Sequence, residues 1–246
     1  MRVIVFTSDK YIDLIKQFAY LFNKHWGKHQ VVDVLGFEPP DFDLPENFNF
    51  ISAGKQSDFP AKSFCQPFRP IIEKMDCEII TVMLEDAFLI DTVDHDLLQK
   101  AQQTILSGKA SSVDLFLGAA YQNASAEPFD NDFNVFPQNM DYRFTAAQRI
   151  INREYYLKYF DRETIWHLEV ENIPRSKFDG HNLLVSKGKP IAPWLNTIVK
   201  GGFNQVQWDK MIRSPTGRHF GWNVYQELKD EEFEIFASMK DWSPRA

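Results

Sequence analysis

The chain opens with a compact apolar run, Arg2 to Thr7, whose β-branched residues predict a strand. Asp9 stands where a helix N-cap belongs, ahead of Ile12, Leu14, Ile15, Phe18, Ala19, Leu21 and Phe22 at helical spacing up to Gly27. Val31 to Leu35 and Phe48 to Ser52 read as further strands, separated by a loop holding Pro39, Pro40 and Pro45. Pro60, Pro67 and Pro70 then break up the pattern and leave Ile71 to Met75 as a helical turn or more. Glu78 to Leu84 is nearly continuous in apolar residues, the texture of a central strand covered on both faces. Asp94 caps a helix through Leu97, Leu98 and Ile105 that Gly108 stops, and Val113 to Leu117 is the next strand. A polar, aromatic loop from Gly118 to Asp141 has the length of a lid over a substrate. Beyond it come a strand over Arg143 to Ile151, an N-cap at Asn152, a helix over Glu154 to Phe160 and a second helical piece over Glu163 to Val170. Past Asn172 the texture turns to Pro, Gly and Lys around two short apolar runs, Asn182 to Val185 and Ile191 to Val199. An amphipathic helix over Asn223 to Met239 closes the pattern.

Strands alternating with helices predict one α/β domain with a mostly parallel sheet. Residues 1–172 form its core, and residues 173–246 form a C-terminal appendage packed on the same domain. With 246 residues, 44% of them hydrophobic, the chain buries a sizeable core without staples. Its two cysteines, Cys65 and Cys77, suit a reducing interior rather than a disulfide framework. The N-terminal apolar run is too short for a signal peptide, and no segment reaches spanning length, so the expected setting is cytoplasmic. Charge is uneven: residues 1–171 carry 16 Lys/Arg against 26 Asp/Glu, whereas residues 172–225 carry 8 against 2. A basic section in an acidic protein either meets an anionic ligand or balances the acidic half as a solvated face.

The chemistry centres on Glu85 and Asp86, which end the most apolar strand at the place where open α/β sheets bind ligands. Hard carboxylate oxygens there suit Mn²⁺ or Mg²⁺ bridging the diphosphate of a nucleotide-sugar donor. Many such pairs are only the polar stop after a strand; the wholly apolar approach and Phe88 behind the pair set this one apart. The stretch Ile80-Thr81-Val82-Met83-Leu84-Glu85-Asp86-Ala87-Phe88-Leu89 resembles a segment of small glycosyltransferase-like proteins of bacteria and phages, which are similar to the GT-A superfamily. Val5 to Tyr11, Leu21 to Trp26, Ala146 to Leu157 and Trp166 to Glu169 resemble the same family in the same order, over roughly residues 1–200.

This resemblance implies a GT-A-like, single Rossmann-type fold with Glu85 and Asp86 in the place of the metal-binding DXD motif. Ala87 stands where the fuller pattern offers another acid, so Asp86, aided by Glu85, carries the role. By family position Thr7 and Asp9 meet the nucleotide, Gln148 and Arg149 lie near donor or acceptor hydroxyls, and His181 adds a metal ligand. Glu169 is the candidate catalytic base: a transfer with inversion needs one carboxylate at the acceptor hydroxyl, and Trp166 one helical turn away offers a stacking face. Lys187, Lys189 and Lys200, with Gly188, Gly201 and Gly202, form a candidate flexible element over the diphosphate. The expected partners are a nucleotide-sugar donor and a glycan or small-molecule acceptor. DNA is the other acceptor class, because the section from Lys187 to Arg218 is basic and Trp194, Trp208, Phe220 and Trp222 offer stacking faces. Two further readings stand beside these: nucleotidyl transfer, against which the glycine-free Thr7-Ser8-Asp9-Lys10 turn argues, and a binding module without turnover.

Overall fold

The computed structural model describes residues 1–60, 63–116, 127–196, 198–199, 202–203, 217–219, 222–224, 235, 239 and 242–245. Strands β1 (Arg2–Phe6), β2 (Val32–Gly36), β3 (Phe48–Ser52), β4 (Ile79–Leu84), β6 (Ser112–Asp114), β7 (Glu127–Pro128), β8 (Phe133–Val135), β9 (Arg149–Asn152) and β10 (Leu183–Ser186) form one sheet in the order β3-β2-β1-β4-β9-β6-β10-β8-β7. All but β8 and β9 point the same way, so the sheet is mixed but mostly parallel in direction. Parallel neighbours need crossovers: helix α1 (Leu14–His25) joins β1 to β2 and α2 (Cys65–Glu73) lies between β3 and β4, β2 reaches β3 through a loop, and α3 (His95–Leu106) leads into β6. Strand β5 (Ala87–Leu89) leaves this sheet and pairs antiparallel with β11 (Trp194–Asn196). Among the described residues two further antiparallel pairs are β12 (Ile198–Val199) with β13 (Gly202–Phe203) and β14 (Gly217–His219) with β15 (Trp222–Val224).

Side-chain alternation divides the core into two layers. Val3, Val5, Val32, Val34 and Met83 face α1 and α3. Ile4, Phe6, Leu35, Ile80 and Val82 face α2 and α4 (Arg153–Tyr159), with α5 (Ile165–Val170) beyond. Three caps form as their residue types demand: the side chains of Asp94, Asn152 and Thr164 accept from the amides of Leu97, Tyr155 and His167. Asp9 does not cap α1, whose N-cap position is Asp13. Among the described residues no helix is long and apolar enough to cross a membrane.

Several boundaries differ from the sequence expectation for physical reasons. Helix α2 begins at Cys65 because Pro67 falls in its first turn, where no amide partner is lost; only Pro70 sits inside. The strand expected over residues 143–151 shrinks to β9. Arg143 is fully buried and donates to the carbonyls of Ser176, Phe136, Pro137 and His181, while Tyr142 (φ 55°) and Gln148 (φ 58°) turn the backbone through the left-handed region. The division at residue 172 cuts through the sheet, since β10 pairs between β6 and β8. The closing helix expected from Asn223 begins in strand β15, and most of its span lies outside the described residues.

Candidate functional site

A cavity of about 880 Å³ opens at the carboxyl ends of β1 and β4. Thr7, Ser8 and Tyr11 from the β1–α1 turn line it, with Phe37 after β2, and Gln56, Ser57, Phe59 and Pro60 after β3. Phe64 and Phe68 come from α2 and its entry, Glu85 and Asp86 from the β4–β5 turn, and Thr164, Ile165 and Trp166 from the start of α5. The far wall is a connected aromatic cluster in which the rings of Phe6, Phe64 and Phe68 lie within 5.9 Å of one another. On the rim, Trp166 is 65% exposed, an unusual setting for so large an apolar ring.

Glu85 and Asp86 line the same chamber. Burial, then the charge of Asp86, holds the Glu85 carboxyl well above the usual carboxylate range. Asp86 is pushed up to about 6 by burial, against the hydrogen bonds from its own backbone amide and from the Asn196 side chain on β11. No lysine or arginine among the described residues lies on the cavity wall or within ion-pair distance of either carboxylate. The Tyr11 phenol is also raised, by burial and then by the charges of Glu85 and Asp86, which places its ring beside the pair. Two adjoining carboxylates with unspent negative charge suit a hard divalent cation, whose remaining ligands must come from outside the described carboxylates.

Of the residues expected at the site, the fold brings Thr7, Glu85 and Asp86 to the same chamber. Asp9 lies just behind the wall: its amide donates to Gln56 Oε1 at 3.0 Å, and its carboxylate accepts from the Glu38 amide at 3.0 Å. It thereby ties together the turns after β1, β2 and β3. Gln148 and Arg149 sit at the matching end of β9 but not on the wall. Arg149 is fully buried, donating to Asp114 at 2.7 Å and to the Arg143 carbonyl. Burial still raises Asp114 despite that guanidinium. Glu169 turns inward, its Oε1 accepting from the Ala146 amide at 3.1 Å; burial raises its carboxyl.

Lys187 and His181 are elsewhere. Lys187 lies three strands from β4 and donates to the carbonyl of Asp130, while its neighbour Lys189 pairs with Asp94. His181 precedes β10 at the amino end of the sheet, so it cannot join a cation held by Glu85 and Asp86 after β4; its Nδ1 meets Ser111 Oγ at 2.6 Å. Lys200 lies outside the described residues. Sequence reasoning missed Asn196, the partner of Asp86, and the aromatic wall from Phe37 to Phe68. The only local sign of Asn196 is a polar residue inside the apolar run from Ile191 to Val199.

No protein-family model and no curated protein matches the chain. Solved structures do. TarS from S. aureus superposes with a TM-score of 0.51 at 11% identity over 97% of this chain and 38% of its own. Its 1–349 fragment in complex with UDP-GlcNAc gives 0.50 at 13% identity, over 97% and 64%. The mannosyltransferase PcManGT from Pyrobaculum calidifontis, in complex with GDP-Man and Mn2+, gives 0.51 at 11% identity, over 85% and 61%. The chain spans less than two thirds of the length of each. At such identities the likeness concerns the fold, which is GT-A-like: a mixed, mostly parallel sheet flanked by helices.

Proposed function

We propose that this chain is a glycosyltransferase that moves a sugar from a nucleotide-diphosphate donor to a hydroxyl of a glycan or small molecule. One observation carries the reading: two adjacent carboxylates with raised proton affinity and no cationic partner among the described residues face a chamber of about 880 Å³ at the carboxyl ends of parallel strands. Glu85 and Asp86 would hold Mn²⁺ or Mg²⁺, which when bound neutralises charge on a departing diphosphate. The chain's own residues do the rest. Thr7 and Ser8 present hydroxyls and backbone to the donor beside the first strand, and the phenylalanine wall excludes water from its apolar parts. Trp166 offers an exposed ring on which the apolar face of a pyranose stacks. Glu169, tied to the Ala146 amide behind the wall, holds the turn that leads into β9 rather than taking the acceptor proton.

The engagement of Lys187 and Lys189 with the chain's own oxygens favours the glycan over DNA as acceptor. Free thiols at Cys65 and Cys77 suit work in a reducing compartment, the cytoplasm. The test is a thermal-shift series with UDP- and GDP-sugars, with and without Mn²⁺, followed by donor hydrolysis by the parent and by Asp86→Asn. Cation-dependent stabilisation that the variant loses is the expected result. Equal hydrolysis by both proteins overturns the assignment.

A further inference from the structure

Segment 242–245 crosses back onto the turn that leaves β1. The Trp242 ring stacks on Tyr11, with centroids 5.9 Å apart and planes 19° from parallel. The Trp242 indole nitrogen is buried without a partner among the described residues. Three residues on, the Arg245 amide donates to the Lys10 carbonyl at 3.0 Å. Its guanidinium donates from Nε to Asp13 at 2.8 Å, from Nη2 to the other Asp13 oxygen, and approaches Asp41 at 3.3 Å. The loop from Ser8 to Asp13 is thus held on its outer side at Lys10, Tyr11 and Asp13. On its inner side Tyr11 lines the chamber shared with Glu85 and Asp86.

The geometry points to Trp242 and Arg245 as positioning residues: they form a strap that keeps Tyr11 in the chamber wall and so sets the affinity of the site for a nucleoside diphosphate. This rests on the reading of the chamber as a donor site. A bidentate guanidinium fixes orientation as well as charge, and a stacked ring fixes the plane of its neighbour, so the strap specifies one arrangement of the turn. Neither side chain of the strap is on the chamber wall, which separates this role from direct contact.

The experiment pairs two readouts on the full chain. Hydrogen exchange of the amides from Asp9 to Asp13 is compared in the parent, Arg245→Ala, Asp13→Asn and Trp242→Ala; binding of UDP and of GDP with Mn²⁺ is measured by calorimetry on the same proteins. Arg245→Ala and Asp13→Asn each remove a surface contact, which keeps the test sound if loss of the Trp242 ring disturbs folding. We expect faster exchange confined to that turn and nucleotide affinity about five-fold weaker, the size of one lost stacking or charged contact. The Arg245→Ala and Asp13→Asn effects should not add, and Trp242→Phe should restore most of the affinity lost in Trp242→Ala. Unchanged exchange in the turn overturns the strap. Faster exchange with parental nucleotide affinity overturns its link to the site while leaving the transferase reading intact. Failure of the parent itself to bind either nucleotide sinks the donor-site reading, and the proposed control of affinity with it.

Discussion

Ionisable side chains gather at both ends of the sheet, and the two ends treat them in opposite ways. At the amino end, Asp179 is buried and surrounded by donors: the hydroxyls of Tyr155 and Tyr159 at 2.7 and 2.8 Å, the His181 amide at 3.0 Å and the Arg143 guanidinium at 3.2 Å. Burial pushes its proton affinity up, yet these four partners together pull it below the ordinary value. At the carboxyl end Glu85 and Asp86 adjoin each other with no cation beside them among the described residues, and both are raised. A satisfied charge supports the fold, and a pair beside a cavity whose proton affinity is raised is poised to give up its proton to a cation that arrives later.

The largest expected effect tests the satisfied end. Asp179→Ala leaves Arg143 buried without its charge partner and should cost about 3–5 kcal/mol, read as a fall in melting temperature. If that variant melts with the parent, the contrast fails. The next test reverses the sign of the stability effect: Asp86→Asn should melt no lower than the parent at neutral pH, while donor turnover falls by about 10²–10³-fold. A variant that unfolds instead would make Asp86 a structural acid.

Titration sharpens the contrast further. The Asp86 folded-state value, about 6, lies above its unfolded one. As pH rises from about 4 to about 6 the unfolded chain ionises at Asp86 before the folded one does, so stability falls across that window. Asp179, lowered in the fold, contributes stability that is present above about pH 4 and lost as pH falls below it. Melting curves across pH 3–7 should therefore flatten between 4 and 6 in Asp86→Asn and lose part of their acid limb in Asp179→Asn. The smallest effect is on the rim. Trp166→Ala, which removes an exposed ring, should change stability by no more than about 0.5 kcal/mol. Its consequence belongs in acceptor KM, with donor hydrolysis retained.

Local signals made much of this fold legible. The apolar run ending in Leu84 became β4, Phe48 to Ser52 became β3, and Asp94 and Asn152 cap the helices they were expected to cap. The carboxylates after β4 were legible for the same reason, since a buried parallel strand must deliver its last residues to the carboxyl edge. Long-range pairing left weaker traces. Nothing near Leu183 shows that β10 enters the sheet between β6 and β8, and nothing near Arg143 shows that its guanidinium is buried against the distant carbonyls of Ser176 and His181. Family position grouped His181 with the acids and the basic composition of its section grouped Lys187 with them, whereas strand order separates both from β4.

Strand β5 has a consequence in time as well as space. Ala87 is paired with Asn196, and Asn196 is the residue that hydrogen-bonds Asp86, so the acidic turn takes its shape from a strand made much later in the chain. Contacts that close so long a loop form slowly compared with local helices. On refolding, helical signal should return first, and competence to take up a cation should lag behind it until the β5–β11 ribbon has zipped.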